Sequence, residues 1–141
     1  MKLLISKINY LISIWKIAKE IYMSETNSYL KYETILKNLV VKHSGHTWDE
    51  HMQNRGIRKR EYVNAKKVHI ALMVDFLGMG WDHSTKIYNK DHANVKNYKA
   101  RCKEHLMYDR DFVQQYGPVF DYAIKKKPTL ANIYIINKRL R

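Results

Sequence analysis

Lys90-Asp91-His92-Ala93-Asn94 sets a cation, a carboxylate, an imidazole, a methyl group and a carboxamide in consecutive positions. Such a run can address a surface patterned in hydrogen-bond donors, acceptors and apolar groups, as the edges of base pairs are. Asp91 can cap a helix and accept from a cytosine amino group, His92 can donate or accept at a base edge, and Ala93 can touch a thymine methyl. Lys90, Asn94, Asn97 and Lys66 are residue types that hold phosphates, which sets register and supplies salt-dependent affinity. Arg58, just ahead of an apolar-periodic segment, can enter an A·T-rich minor groove, where narrowness deepens the negative potential. Two plainer readings stand beside these: Asp91 as an N-cap and nothing more, and Arg58 as part of a solvated basic face.

These residues need helices to present them. Tyr62, Ala65, His69, Leu72, Met73 and Phe76 form one apolar stripe, stopped by Gly78 and Gly80, and predict a long helix. Asp82 is placed to cap a short helix through Tyr88, Asn89 to make a tight turn, and Asp91 to start a second long helix with Val95, Tyr98, Cys102 and Leu106 inward. A short helix, a turn and a longer helix with a polar start is the helix-turn-helix arrangement, whose second helix enters the major groove. Upstream, Thr47 and Glu50 have capping-box spacing and predict a helix over 48–54. Before that, Tyr29, Tyr32, Leu36, Leu39 and Val40 share a face, after a polar break at Ser24 to Ser28. Downstream, Gly117-Pro118 is expected to end a helical turn begun at Asp111, with a short helix over 119–127 and a tail over 129–136 that leans towards helix over strand.

The first segment repeats Leu4, Ile8, Leu11, Trp15, Ala18 and Tyr22 at alternating spacings of four and three, the seam of a packed helix. Docking on its own domain, a homodimer or a protein partner through residues 1–22 is favoured over a membrane surface, and Lys7, Lys16, Lys19 and Glu20 interrupt any spanning run. Met23-Ser24-Glu25-Thr26 also reads as an alternative start of translation.

Of the 141 residues, 26 are Lys or Arg and 13 Asp or Glu, a formal charge of +13 that points to a polyanionic partner, nucleic acid first. From Arg58 to Lys103 there are eleven basic residues against four acidic, so over half the excess lies in a third of the chain. Codon bias in an A+T-rich genome also makes small proteins Lys-rich, so the basic balance alone is weak evidence. Cys102 is the sole cysteine, which leaves no disulfide framework and no Cys-based zinc site and fits a reducing, cytoplasmic setting. His43, His46 and His51 lack the spacing of a metal site and read as solvated loop histidines. No catalytic constellation, cofactor motif or small-molecule site is signalled, so the expectation is a protein that is not an enzyme.

Arg58-Lys59-Arg60-Glu61-Tyr62-Val63-Asn64-Ala65-Lys66-Lys67-Val68 resembles the stretch that opens the long helix in the DNA-binding domain of the bacterial replication initiator DnaA. Lys90-Asp91-His92-Ala93-Asn94-Val95 resembles the family's Lys/Arg-Asp-His signature at the start of its recognition helix, in the same order and at a matching separation. The resemblance runs over about 32–116. It implies an all-α fold, a small helical bundle with a helix-turn-helix akin to that of the Trp repressor, preceded here by an N-terminal amphipathic helix. It also implies Arg58, Asp91, His92 and Ala93 as base contacts and Lys66, Lys90, Asn94 and Asn97 as phosphate contacts to double-stranded DNA. The chain departs from the family at Tyr88-Asn89, where the family has Gly-Gly and one more residue, at Asn94 in place of Thr, and at Val74 in place of a phosphate-touching Lys. Trp81 replaces a family Leu and is expected in the core.

The expected organisation is an amphipathic helix and linker over 1–28, a DNA-binding domain over 29–116 and an extension over 117–141. No Gly-x-x-x-x-Gly-Lys-Ser/Thr loop occurs, so ATP-driven initiation is not expected of it. The function expected is a stand-alone reader of DnaA-box-like sites in replication initiation or transcriptional control, encoded by a phage or mobile element and acting in a bacterial host's cytoplasm. The alternative is a structural or interaction protein that keeps the fold and binds DNA without sequence preference.

Overall fold

The computed structural model describes residues 1–23 and 30–141, and among these every regular element is helical. In chain order they are α1 (Lys2–Ser44), α2 (Trp48–Gln53), α3 (Arg60–Asp75), α4 (Trp81–Tyr88), α5 (His92–Tyr108) and α6 (Arg110–Lys126), followed by two 3-10 turns, Pro128–Asn132 and Lys138–Leu140. The all-α expectation holds. The expected break at Ser24 to Ser28, and Tyr29 at the head of the next stripe, lie outside the described residues. The chain divides into two compact units, Met1–Tyr32 and Glu33–Arg141, so residues 117–141 belong to the second unit and are not an appendage.

In the first unit residues 1–23 are all exposed.

In the second unit local signals set most boundaries. The Thr47 side chain accepts from the Glu50 amide at 3.2 Å and starts α2, Asp91 accepts from Asn94 at 2.8 Å and starts α5, and Asp109 accepts from Phe112 at 3.1 Å and starts α6. Each satisfies an amide that the first helical turn would leave unpaired. After α3, Gly78 adopts φ +69, a left-handed conformation that lets the chain turn out of the helix. The expected Asp82 cap is not made: Gly80 is the N-cap of α4 with no side-chain bond. Asp82 lies two residues past the N-cap, and its carboxylate meets His92 instead.

The core gathers Leu36 and Val40 of α1, Val68, Ala71 and Leu72 of α3, Val95, Cys102 and Leu106 of α5, and Phe112, Tyr116 and Phe120 of α6, all buried. Trp81 lies half-buried against this cluster, as expected, with the Lys96 and Lys99 ammonium groups 5.7 and 5.4 Å from its ring. The predicted break at Gly117-Pro118 does not occur, because α6 continues through both. Pro118 faces solvent, where water can serve the carbonyl its missing N–H leaves unbonded, while Phe112, Val113, Tyr116, Val119, Phe120 and Ala123 hold the helix on the core. The tail after it is neither strand nor α-helix. It is pinned instead by Leu130 and Tyr134, both buried, and by the Asn137 amide donating to the Leu106 carbonyl at 2.9 Å.

Candidate nucleic-acid interface

Asn89 takes φ +50 and ψ +50 at the end of α4, so that the chain reverses within Asn89-Lys90 and re-enters a helix at Asp91. Asn tolerates this left-handed conformation better than most other residues with a Cβ. On the first two turns of α5, Val95 is buried and Tyr98 half-buried, whereas His92, Ala93, Asn94, Lys96 and Asn97 are exposed. Asp91 is exposed too, with one carboxylate oxygen committed to the Asn94 amide. The N-cap reading of Asp91 is therefore realised, and it occupies one of two oxygens. His92 Nε2 lies 2.7 Å from the Asp82 carboxylate, which ties the start of α5 to the start of α4.

The loop between α2 and α3 faces this turn. Gln53, Arg55 and Gly56 on one side and Tyr88, Asn89 and Lys90 on the other line a cleft of about 530 Å³, floored in part by Met52. Arg58 follows on the same loop, exposed and ahead of α3.

Lys66 does not join this surface. It is 2% exposed, donates to the Arg55 carbonyl at 2.6 Å and lies 5.2 Å from the centre of the Tyr98 ring. Burial first, and the Lys90 charge second, lower its pKa below the usual lysine value. The expected phosphate contact is thus turned inward: the ammonium holds the loop that carries Arg55 and Arg58. The signal in the sequence was its place on α3 between Ala65 and Val68, on the flank of the apolar stripe.

Other cations of this segment are also engaged. Arg60 pairs with Asp109 at 3.1 Å, Lys99 with Asp75 at 3.0 Å and Arg101 with Glu104 at 3.3 Å, and the Lys67 ammonium sits 3.0 Å from a His105 ring nitrogen. Arg58, Lys59, Lys86, Lys96 and Lys103 remain exposed, and Lys90 partly so. The surface available to a polyanion is narrower than the eleven basic residues suggest.

Behind the turn lies a polar cluster that the sequence reading missed. The Tyr88 hydroxyl is buried between His51 Nε2 of α2 at 2.8 Å and His69 Nδ1 of α3 at 2.6 Å, and His51 Nδ1 meets His46 Nε2 at 3.4 Å. One tautomer assignment satisfies every donor: His69 donates to Tyr88, Tyr88 to His51, and His51 to His46. His69 Nε2 is then a bare acceptor, buried and without a hydrogen-bond partner among the described residues, against the Trp48 ring at 4.9 Å. Burial lowers the His51 pKa to about 4, helped by the charges of His46 and Lys66, lowers His69 far below its usual value and raises Tyr88. His51 is consequently a core residue and not a solvated loop histidine. No group of three or more potential metal ligands converges among the described residues.

No helix among the described residues is long and apolar enough to cross a membrane. Compared with protein-family models, with curated proteins and with solved structures, the chain matches none.

Proposed function

We propose that this protein is a stand-alone, sequence-specific binder of double-stranded DNA, with α5 as its recognition helix and the α2–α3 loop as a second contact. The observation that carries this reading is a cleft with Asn89 and Lys90 of the α4–α5 turn on one side and Arg55 and Gly56 of the α2–α3 loop on the other, the turn leading into the exposed polar start of α5 and the loop into the exposed Arg58. A helix start set in a major groove and an arginine loop in the adjacent minor groove form a two-part clamp of the kind double-stranded DNA can accept. The motif resemblance to the DnaA DNA-binding domain supports the same assignment and suggests a DnaA-box-like target, in replication initiation or transcriptional control of a phage or mobile element. His92, Ala93 and the free oxygen of Asp91 would read bases, with Arg58 in the minor groove. Lys90, Asn94 and Asn97 would hold phosphates, and Lys66 drops out of that set.

Fluorescence anisotropy of the full chain with a duplex carrying a DnaA-box-like site and with its scrambled version, each across a salt series, tests this. A preference of about tenfold or more, ~1.4 kcal/mol, that survives raised salt and is lost on His92→Ala is expected. Equal affinities that collapse together with salt would replace base readout by nonspecific binding. No binding to either duplex at low salt would remove the DNA reading altogether.

A further inference from the structure

Residues 2–23 form the opening of α1, and their side chains are exposed. A helix of this kind normally draws its stability from packing one face, and an isolated one is marginal in water. Its apolar residues nevertheless cover an arc of about 240° when successive residues are set 100° apart, interrupted by Lys7 and Lys19, opposite a narrow polar stripe of Lys2, Ser6, Asn9, Ser13, Lys16 and Glu20. A surface so wide and so apolar is made to be covered.

Where the charges fall says by what. In a heptad with Leu4, Leu11 and Ala18 at d and Ile8, Trp15 and Tyr22 at a, no polar residue occupies the seam across three repeats. All five charged side chains take b, e, f or g, positions that stay in water beside a partner helix. Ile5, Ile12, Ile14 and Ile21 at e and g widen the seam beyond a and d. A bilayer surface would treat the same helix differently. Lys7 stands about 40° from the centre of the apolar arc, so that a helix lying flat on lipid would have to bend the Lys7 stem back around itself to bring its ammonium to the headgroups, whereas a coiled coil leaves it at the rim. We infer that residues 1–23 assemble with the same segment of a second copy as a coiled coil, which joins two DNA-binding units into one particle.

Sedimentation equilibrium of the full chain at micromolar concentration reads this directly. The expected mass is twice the 16.9 kDa of the chain, or a higher multiple. Ile8→Glu combined with Leu11→Glu, both at exposed seam positions, should return it to a single chain and raise the dissociation constant at least a hundredfold. The control Asn9→Glu, on the outer stripe, should leave the assembly intact. Single-chain mass for the unaltered protein overturns the inference, as does an assembly that survives the double substitution. Flotation with anionic phosphatidylglycerol vesicles by a protein that is single-chain in solution would assign the face to lipid instead. Each of these readouts is independent of whether any duplex binds.

Discussion

His92 and Lys90 lie on the outer side of the α4–α5 turn, and His69 and Lys66 on its inner side, with the same two side-chain types meeting opposite fates. The outer pair is exposed or partly so, and His92 makes a single contact, to another exposed group. The inner pair is buried: Lys66 donates to the Arg55 carbonyl and His69 Nδ1 bonds the Tyr88 hydroxyl, while His69 Nε2 stays unbonded beside Trp48. Residue type alone therefore does not separate a ligand-facing site from a supporting one. Position on the helix face does: Lys66 and His69 ride on the flank and centre of the α3 stripe, while Lys90 and His92 precede and open a helix whose stripe begins only at Val95. The inner cluster holds the turn, and the outer residues stay open to solvent.

The largest effect should come from acid acting on the inner cluster. In the folded protein burial lowers His51 to about 4 and holds His69 well below the ordinary value of 6.5 that both have in the unfolded chain. As pH falls below 6.5 the unfolded chain takes up protons that the folded chain refuses, so the stability these rings contribute is complete above 6.5 and is lost on going down. By pH 5 His51 alone should remove about 2 kcal/mol, with His69 adding in the same direction. Urea unfolding at pH 7 and pH 5 checks this, in a window where ordinary carboxylates stay ionised. An unchanged midpoint would mean that the rings are not held neutral.

Next in size is Tyr88→Phe, which keeps the ring and deletes the one hydroxyl that both histidines share. Two buried nitrogens then lose their partner, and we expect a loss of about 2 kcal/mol, with a fall in melting temperature of roughly 8–16 °C for a unit of this size. A thermal shift within 2 °C of the native protein, taken from the same relation, would show that Tyr88 is a spacer and not a link.

The two lysines sharpen the comparison further. Lys90→Ala should weaken binding to all duplexes alike and reduce the slope of log K against log salt by about 1, with stability nearly unchanged. Lys66→Met should leave that slope as it is and lower stability by about 1–2 kcal/mol, since the Arg55 carbonyl loses its donor. If Lys66→Met instead flattens the salt dependence, its ammonium turns outward when DNA is present.

Much of this was legible beforehand because the signals were local. The Thr47, Asn89 and Asp91 boundaries are written in residues whose conformational preference does not depend on distant packing, and α3 follows from a periodic stripe. What escaped depended on contacts remote in sequence. His51 and Tyr88 are 37 residues apart, and nothing near either one announces that they share a hydrogen bond. Pro118 reads as a breaker until α6 is known to bury the opposite face, and the tail beyond it gains its irregular shape from Asp75 and Leu106, far upstream. For the site, exposure was the missing quantity: Asp91, His92, Ala93, Asn94, Asn97 and Arg58 are where a ligand can meet them, and Lys66 is not.

The smallest effect separates two roles carried by one side chain. Asp91 caps α5 and is also placed to accept from a base, and both readings use carboxylate oxygens, so removal of the group cannot tell them apart. Asp91→Ala should cost about 1 kcal/mol of stability through the lost cap and should also erode site preference. Asp91→Asn keeps an oxygen for the Asn94 amide, so stability should change by only a few tenths of a kcal/mol, about the spread among good caps. Its amide, however, replaces the second acceptor oxygen by a donor, which clashes with a cytosine amino group and suits a different base. A native-like melting curve with discrimination weakened or moved to another base at one position is therefore the expected pattern for Asp91→Asn, measured by anisotropy on single-base variants of the site. If Asp91→Asn instead retains the full preference, the side chain is a cap alone, and base reading at the start of α5 rests on His92 and Ala93.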